Sequence, residues 1–350
     1  MLGYRHPDTD LPCERGAERR DEARAGRGVL GFVAIAVAAV FAVVAALLPI
    51  HTADAVIKVP APIRQVTMAV GTGAVLDLDL LMRGKVQIQS KVPVQVSSLV
   101  TSVEPTDSDS ITLRVAQQTS RLDRQGQAGL LDALVDQVSI SRTSGTPRHT
   151  PAQTVFEPGQ RPLETVRSGF QYKFPFDTGR HDYPYFDVIS QQETRLRYVD
   201  DTTVRDGLRL LHFRSQVPPV DLAPLLPMRG EITLPAESVG RAGDQEVAMS
   251  LYYTATRDIW VEPVTGAVIT VSEYQHRYLA TASDDPAAIT VFDGTLQFDE
   301  QSVHEMTGQA RDARRQIAAL HVYGPIAAAI AAMAALTFGI TRLRTVTTHR

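Results

Sequence analysis

The chain has 350 residues, a formal net charge of −4 and a charged fraction of 21%. A chain without net positive charge, and without a basic face interleaved with aromatic residues, is not suited to binding nucleic acid. Its single cysteine, Cys13, excludes a disulfide bond within the chain. The fold must therefore be stabilised by its core alone.

Two long apolar segments lie near the ends of the chain. Val29–Ile50 contains no charged residue, and Leu320–Ile340 has only His321 as a titratable group. Because about 20 helical residues span the apolar core of a bilayer, residues 28–50 and 320–341 are predicted to be transmembrane helices. A cleaved signal sequence is the alternative for the first segment, which is longer than signal sequences usually are.

Arginines flank both segments on the side of the chain termini. Arg24 and Arg27 precede the first segment, and Arg342 and Arg344 follow the second. Short basic flanks stay in the cytoplasm, so residues 1–27 and 342–350 are predicted cytoplasmic tails, the first of them disordered. We therefore expect an inner (plasma) membrane protein with two spans, cytoplasmic termini and an extracytoplasmic main domain.

Residues 51–300 mostly alternate between apolar and polar side chains, which is typical of strands with one buried face. A hairpin is predicted around the turn Pro263-Val-Thr-Gly266, because proline and glycine occupy positions that suit a tight turn. The fold class is predicted to be mainly β: a curved antiparallel sheet or sandwich, in one or two lobes, with a transmembrane helix at each end. Further strands are predicted at 170–176, 193–199, 207–216, 231–234, 247–261, 267–279 and 288–299.

Three segments depart from this alternation. The spacing of Leu130, Leu131, Leu134 and Val138 predicts a short amphipathic helix. Residues 141–166 are rich in Ser, Thr, Pro and Gly and are predicted to form a long loop at the seam between two lobes. Residues 301–319 lose the alternation and are predicted to form a helical stalk that leads into the second span.

No catalytic constellation is evident in the sequence. There is no Gly-x-Ser-x-Gly motif, and His304-Glu305 is not completed as a zinc-protease helix. The pairs Asp182/Asp187 and Asp200/Asp201 are more typical of turns and strand ends than of acid–base catalysis. We therefore expect a protein that is not an enzyme, with no catalytic residue, metal or cofactor.

Aromatic residues are concentrated between positions 170 and 186. Alternating aromatic residues are most often part of a core, because they bury a large apolar area. They could also line an apolar groove, and near a membrane the expected ligand of such a groove is a lipid chain. The candidate lipid-binding residues are Phe170, Tyr172, Phe174, Phe176, Tyr183, Tyr185 and Phe186, together with Trp260.

Several of these residues also carry a family resemblance. Tyr172-Lys-Phe-Pro-Phe176, Tyr183-x-Tyr-Phe-Asp187 and Tyr252 to Gly266 resemble segments of the actinobacterial PorA-like family, formerly a domain of unknown function, and the resemblance covers roughly residues 30–340. The Trp260-Val-Glu-Pro-x-Thr-Gly266 hairpin is also similar to one in periplasmic lipoprotein carriers, which are sheets curled around an apolar cavity.

The resemblance implies an envelope protein of mycolate-containing bacteria. Some members are implicated in polar growth and in the trafficking of trehalose-linked mycolic acids beside a large lipid exporter. It therefore implies lipid transport, with a membrane lipid or glycolipid and such an exporter as partners. No catalytic residues come with the resemblance.

The expected function is therefore an anchored envelope protein whose external domain binds lipid and hands it on. A scaffold of an envelope complex that binds no lipid is the alternative. A porin is less favoured, because a strand-built pore needs a closed barrel within a membrane, and an envelope hydrolase is also among the least favoured.

Overall fold

The structure, a computed structural model, describes residues 12–203, 207–243 and 245–347. It divides into two compact units. One contains the helices at the two ends of the chain, and the other consists of residues Ile57–Arg314. The second unit is mainly β, as the alternation predicts.

The first unit is a pair of long helices, α1 (Pro12–Val56) and α4 (Gly324–Thr347). The predicted spans lie within these helices and the π-helical turn Ala319–Tyr323 that precedes α4. Residues 12–27, predicted to be disordered, are the start of α1. Their Glu, Arg and Ala residues favour a helix. The rest of the predicted tail, residues 1–11, lies outside the described residues.

The two helices run antiparallel and approach closely at glycines. A Cβ at Gly31 would lie 3.2 Å from the carbonyl oxygen of Gly339, and one at Gly339 would lie 3.0 Å from the carbonyl oxygen of Gly31. A Cβ at Gly324 would meet the side chain of Leu48 at 2.8 Å. Small residues at such crossings are how helices pack within a membrane, where no hydrophobic effect drives their association.

The second unit is built on one antiparallel sheet of 13 strands. The strand order is β6-β5-β4-β3-β2-β1-β13-β12-β11-β9-β8-β7, and β10 pairs with β11. The helix α2 (Leu78–Leu81) joins β1 to β2, and α3 (Glu300–Ala318) follows β13. The strands are β1 (Arg64–Leu76), β2 (Ile88–Val103), β3 (Ser110–Arg121), β4 (Leu130–Ser141), β5 (Ala152–Val155), β6 (Leu163–Thr165), β7 (Tyr183–Asp187), β8 (Gln192–Thr203), β9 (Arg209–Asp221), β10 (Glu231–Pro235), β11 (Glu246–Glu262), β12 (Ala267–Ala280) and β13 (Ile289–Phe298).

The sheet curls until its two edge strands approach each other. Gln191, just after β7, accepts a hydrogen bond from the Thr165 hydroxyl on β6 at 3.0 Å and donates to the Thr154 hydroxyl on β5 at 3.2 Å. The backbone amide of Phe170 donates to the carbonyl of Pro184 on β7, and the amide of Phe186 donates to the carbonyl of Phe170. Side chains and one short bridge, rather than a continuous ladder, therefore close the sheet.

Glycines allow the curl where β1 lies beside β13. Gly71 pairs with Leu296, and Gly73 pairs with Gly294. A Cβ on Gly71 would overlap the carbonyl oxygen of Thr295, and one on Gly294 would lie 2.9 Å from the Cα of Gly73. Only residues without a side chain permit backbones to approach so closely.

Helix α3 covers part of the outer face of the sheet. Ala310, with Val303 and Met306, packs against Leu210 of β9 and Ile269 of β12, and both of these side chains are fully buried. The predicted helix at 301–319 is therefore present, and its first half belongs to the sheet domain instead of standing free as a stalk.

The predicted strands between residues 193 and 299 are confirmed, as is the hairpin of β11 and β12. Three local predictions are wrong. Leu130–Ser141 is the strand β4, not a helix, and residues 141–166 contain the strands β5 and β6. Residues 170–176 form an irregular segment with a single bridge, Phe170 to Tyr185, instead of a strand.

We predict that Gly71→Ala destabilises the sheet domain by about 1–3 kcal/mol or more, because the new methyl group would overlap the backbone of β13. Unfolding of the full chain in detergent, followed by the fluorescence of its one tryptophan, measures this. Gly308→Ala is the control, because a Cβ at Gly308 in α3 would have no neighbouring atom within 4 Å, and it should be neutral or slightly stabilising. Equal behaviour of the two variants would contradict the role of Gly71.

Candidate functional site

The interior of the curled sheet is filled in three zones. Met249 and Leu251 of β11 belong to an apolar cluster, and Ile259 and Val261, further along β11, belong to an aromatic one. Between them, at the inward position on the same strand, lies Arg257. Charged side chains therefore lie in the middle of the core, where an apolar cavity was expected by analogy with lipoprotein carriers.

Arg257 bridges two carboxylates in this middle zone. Its Nη1 donates to Asp187 at 2.9 Å, while Nε and Nη2 donate to the two oxygens of Glu273 at 2.9 and 2.6 Å. The hydroxyl of Tyr253 lies within hydrogen-bonding distance of both carboxylates. Burial, followed by the two negative charges, raises the pKa of Tyr253 well above its usual value, so the phenol stays protonated.

The chain of charges continues across the interior to the opposite wall. Gln275 donates to Glu273 at 2.8 Å and accepts from Arg277 at 3.3 Å, and Arg277 donates to Asp132 at 2.7 Å. In the sheet, four strands separate β12, which carries Arg277, from β4, which carries Asp132. This ion pair therefore crosses the inside of the curl.

Asp132 also binds Arg229, at 2.6 Å, and Arg229 lies 3.5 Å from Glu157. Burial by itself would raise the pKa of the Asp132 carboxyl, but Arg277 and Arg229 outweigh it and hold that pKa below its usual value. The charges thus alternate from Asp187 to Glu157. We call the set Asp132, Asp187, Arg257, Glu273 and Arg277 the buried charge chain, and the exposed Arg229 connects it to Glu157.

A second, smaller network surrounds Asp136 of β4, which is fully buried. Arg167 donates to both of its carboxylate oxygens, and the hydroxyls of Tyr172 and Thr154 each donate to it at 2.8 Å. Burial, then Asp136, raises the pKa of Tyr172 well above its usual value. Arg167 also lies 4.4 Å from the centre of the Phe186 ring. Tyr172 and Phe186, predicted to bind lipid, therefore pack around this network.

Most of the other candidate rings pack on one another. Phe174 stacks on Phe213 at 6.0 Å between ring centres, and Tyr183 meets Phe170 edge-on at 5.4 Å. Phe170, Phe174, Tyr183 and Tyr185 are all 8% exposed or less. The structure brings these four together in one aromatic cluster with Phe213, which the sequence prediction missed. This arrangement corresponds to the core interpretation of the aromatic segment.

Two candidates lie apart from this cluster. Trp260 is on the outer face of β11, where its ring stacks on His212 at 4.6 Å and packs in the cluster beneath α3. The Phe176 ring is 4.1 Å from the amine of Lys173, which donates to the carbonyl of Phe174. Burial lowers the pKa of Lys173 to about 7, although Glu262 opposes this effect.

One of the carboxylate pairs noted in the sequence, Asp182/Asp187, is separated. Asp187 lies in the interior, whereas Asp182 is on the surface and pairs with Arg195 at 2.8 Å. Among the residues that the structure describes, no group of three or more His, Cys, Asp or Glu side chains is arranged to hold a metal ion.

The outer face of the sheet is polar on β3 and β9, whereas β1 exposes Val66, Met68 and Val70. Its exposed side chains on the long strands include Arg114 and Gln118 of β3, and Arg214 and Gln216 of β9. A strand-built membrane pore instead presents an apolar band to lipid, about 25 Å tall, and a polar lumen to water. The arginines and glutamines on β3 and β9 interrupt any such band, and the interior holds the charged residues and the aromatic cluster described above.

The apolar surface lies on the helix pair instead. In Val29–Ile50 the mean hydropathy reaches 2.9, and the second candidate span lies in the helical run 300–345. A groove of about 770 Å³ runs between α1 and α4, lined mostly by alanines such as Ala38, Ala42 and Ala332. A β-sheet domain with two apolar terminal helices, both candidate membrane spans, defines the class: a membrane-associated protein.

The chain belongs to the Porin PorA family, whose model matches residues 30–341. It is similar to a porin PorA of Corynebacterium amycolatum, with 26% identity over a match that covers 66% of this chain and 69% of that protein. It is also 28% identical to a porin PorA of Corynebacterium resistens, over 57% of this chain and 59% of that relative. The family resemblance is thus confirmed, and an envelope location follows from it.

The predicted lipid-binding and lipid-transport function is wrong. The family and both relatives are named as porins, a class of channel, whereas the sequence-based interpretation ranked a porin among its least favoured alternatives. That ranking assumed that a pore requires membrane-spanning strands. It left out pores that are lined by helices.

Removal of one charge from the buried charge chain should be costly. Arg257→Met leaves Asp187 and Glu273 without their shared cation, and such uncompensated buried charge destabilises a protein by about 3–5 kcal/mol. Arg195→Met, which breaks the exposed pair with Asp182, should cost about 1 kcal/mol or less. Denaturant unfolding of the full chain in detergent compares them, and a small loss for Arg257→Met would show that the chain of charges is not a stabilising unit.

The lowered pKa of Lys173 should make the stability of the sheet domain depend on pH. Its folded pKa of about 7 lies below the roughly 10.4 of an unfolded lysine, so between these values the unfolded chain binds more protons. Stability should therefore rise as the pH increases from about 7 towards 10, and this rise should be smaller in Lys173→Met. Unfolding midpoints of both proteins across this range measure the difference, and identical slopes would contradict the lowered pKa.

Proposed function

We propose that this protein is a porin-type envelope protein whose channel is formed by the terminal helices of several copies, with the sheet domain outside the bilayer. The names of its relatives support a channel, and the exposed arginines and glutamines of β3 and β9 argue against strands in lipid. One antiparallel pair of helices encloses no lumen. Several copies must therefore combine to form one.

The observation that carries the proposal is a row of hydroxyls on α4. Thr337, Thr341 and Thr345 are spaced four residues apart, so they lie on one face of the helix, and all three side chains are exposed. Each hydroxyl donates to a backbone carbonyl of its own helix, which leaves the oxygen free to accept from water. Polar groups on a membrane helix commonly face a water-filled path.

The other faces of the helix pair are suited to assembly. Gly339, which packs against α1, lies opposite the threonine row on α4. The alanine-lined groove offers a surface on which a further helix can approach closely. Ile326 and Ile330 continue the threonine face towards the start of α4, so the lumen would combine a polar half with an apolar constriction, a common form of gate.

The proposal includes an orientation. The arginines beside each span favour cytoplasmic termini, an extracytoplasmic sheet domain and residence in the inner membrane. It assigns no catalytic activity to the protein. The scaffold alternative is distinguished by conductance, because a scaffold conducts no ions.

The test is single-channel recording of the full chain in planar bilayers. Stepwise currents are expected from the wild type. In a Cys13→Ser background, a charged, membrane-impermeant thiol reagent should lower the conductance of Thr337→Cys and Thr341→Cys by at least about twofold, because their thiols face water.

Ala328→Cys is the matched control. Ala328 is 8% exposed and lies on the face of α4 opposite the threonine row, so its thiol should be protected from the reagent. The absence of currents from the wild type would refute the channel. Currents with equal block at all three positions would refute the threonine row as its lining.

A further inference from the structure

One end of the sheet carries an exposed set of apolar side chains. At this end β1 and β3 finish, and β2 and β4 begin. The side chains come from the two connections, and they are between 39% and 72% exposed. We call this set the tip patch: Leu78, Met82, Val86 and Ile88 from the first connection, and Leu122 and Leu130 from the second.

The two connections are tied to each other beneath the patch. Asp77, which caps α2, accepts from Arg124 at 2.6 Å and from Gln89 at 3.4 Å. Arg121 binds Asp123 with two hydrogen bonds, at 2.6 and 2.7 Å. These polar bonds hold the backbone of both connections, so the apolar side chains point outwards instead of folding into the core.

Basic residues are interleaved with the patch. Arg83 and Lys85 lie between Met82 and Val86, and Lys91 follows Ile88, all three exposed. The segments 77–91 and 121–130 together contain five Arg and Lys against three Asp, in a chain that is negative overall. The tip patch is thus locally positive and complementary to an anionic surface.

We propose that the tip patch docks on the anionic surface of a membrane, with its apolar side chains among the lipid headgroups. Interleaved apolar and basic residues on protruding turns match such a surface better than they match a protein partner, which favours a continuous, well-packed patch. The lipids stay in their layer, so this contact is not lipid carriage. The inference rests on the proposed anchoring of the chain by its terminal helices.

Two surfaces have the required chemistry: the membrane that holds the helices and a second one. The chain enters the sheet at Arg64 and leaves it after Phe298, which pairs with Ala69 in the first half of β1. The tip patch is at the other end of β1, which has 13 residues and is therefore about 40 Å long. The experiment must distinguish contact within one membrane from contact with another.

The test places an environment-sensitive fluorophore on Met82→Cys in a Cys13→Ser background, so that the full chain carries one label. The protein is reconstituted in nanodiscs of neutral phosphatidylcholine, and vesicles with about one-third phosphatidylglycerol are then added. A second sample uses nanodiscs of that anionic mixture without vesicles. Val166→Cys, which is 63% exposed in another part of the domain, is the control.

Docking predicts an emission rise of at least about twofold with a blue shift for Met82→Cys, and none for Val166→Cys. A rise on added vesicles assigns contact to a second membrane, and a rise in anionic discs alone assigns it to the anchoring one. Arg83→Glu combined with Lys85→Glu should abolish the response, and about 1 M salt should weaken it.

No response in either sample, or an equal response from Val166→Cys, would overturn the proposal. So would a response that the charge reversal leaves unchanged. Co-elution of the protein with the nanodiscs is measured in the same samples. A silent label on protein that co-elutes refutes docking and leaves the helical anchoring intact, whereas protein that fails to enter the discs refutes the anchoring itself.

Discussion

The ion pair between Arg277 and Asp132 is the constraint on which the sheet domain depends. It joins the inner faces of β12 and β4, which lie far apart in the strand order, so it forms only when the sheet has curled. The glycines of β1 and β13 make that curl sterically possible, and Arg257, Glu273 and Arg229 extend the pair into a continuous set of charges. Because unpaired buried charge is costly, the sheet has little freedom to open or to shift its register.

This interior is also poorly suited to the two functions that a curled sheet suggests, a lipid carrier and a strand-built pore. A carrier needs an apolar cavity, and here the middle of the core holds ion pairs while stacked rings such as Phe174 and Phe213 occupy one end. A strand-built pore needs apolar residues outside, where β3 and β9 instead present arginine and glutamine. We therefore propose that the channel implied by the family name lies in the helices, where Thr337 and Thr341 are polar residues on a mostly apolar span.

The secondary structure could be predicted best where the turn residues and the alternation of apolar residues indicate the same element. The β11–β12 hairpin could be predicted because Pro263 and Gly266 define the turn and apolar residues alternate on either side. β4 could not, because Asp132 and Asp136 occupy inward positions and hide its alternation, so the leucines were interpreted as a helical stripe. These aspartates bind arginines that are distant in sequence, and no local pattern reports such a pairing. Two aspartates spaced four residues apart, and therefore on one face of a strand, are the signal that could have located the charged interior. Residues 170–176 were predicted to be a strand because their rings are spaced two residues apart. This spacing occurs there on an irregular backbone.

The position of the two terminal helices has a thermodynamic consequence for the domain between them. The domain contains no cysteine, yet both of its ends lead into helices that pack against each other at Gly31 and Gly339. If that helix pair persists when the sheet unfolds, the unfolded chain is a closed loop, not a free coil. A loop of this length loses conformational entropy equivalent to roughly 5–6 kcal/mol, comparable to the effect of a long-range disulfide. The helix pair then acts as a non-covalent cross-link, so detergents that separate the helices would lower the stability of a domain that they never touch.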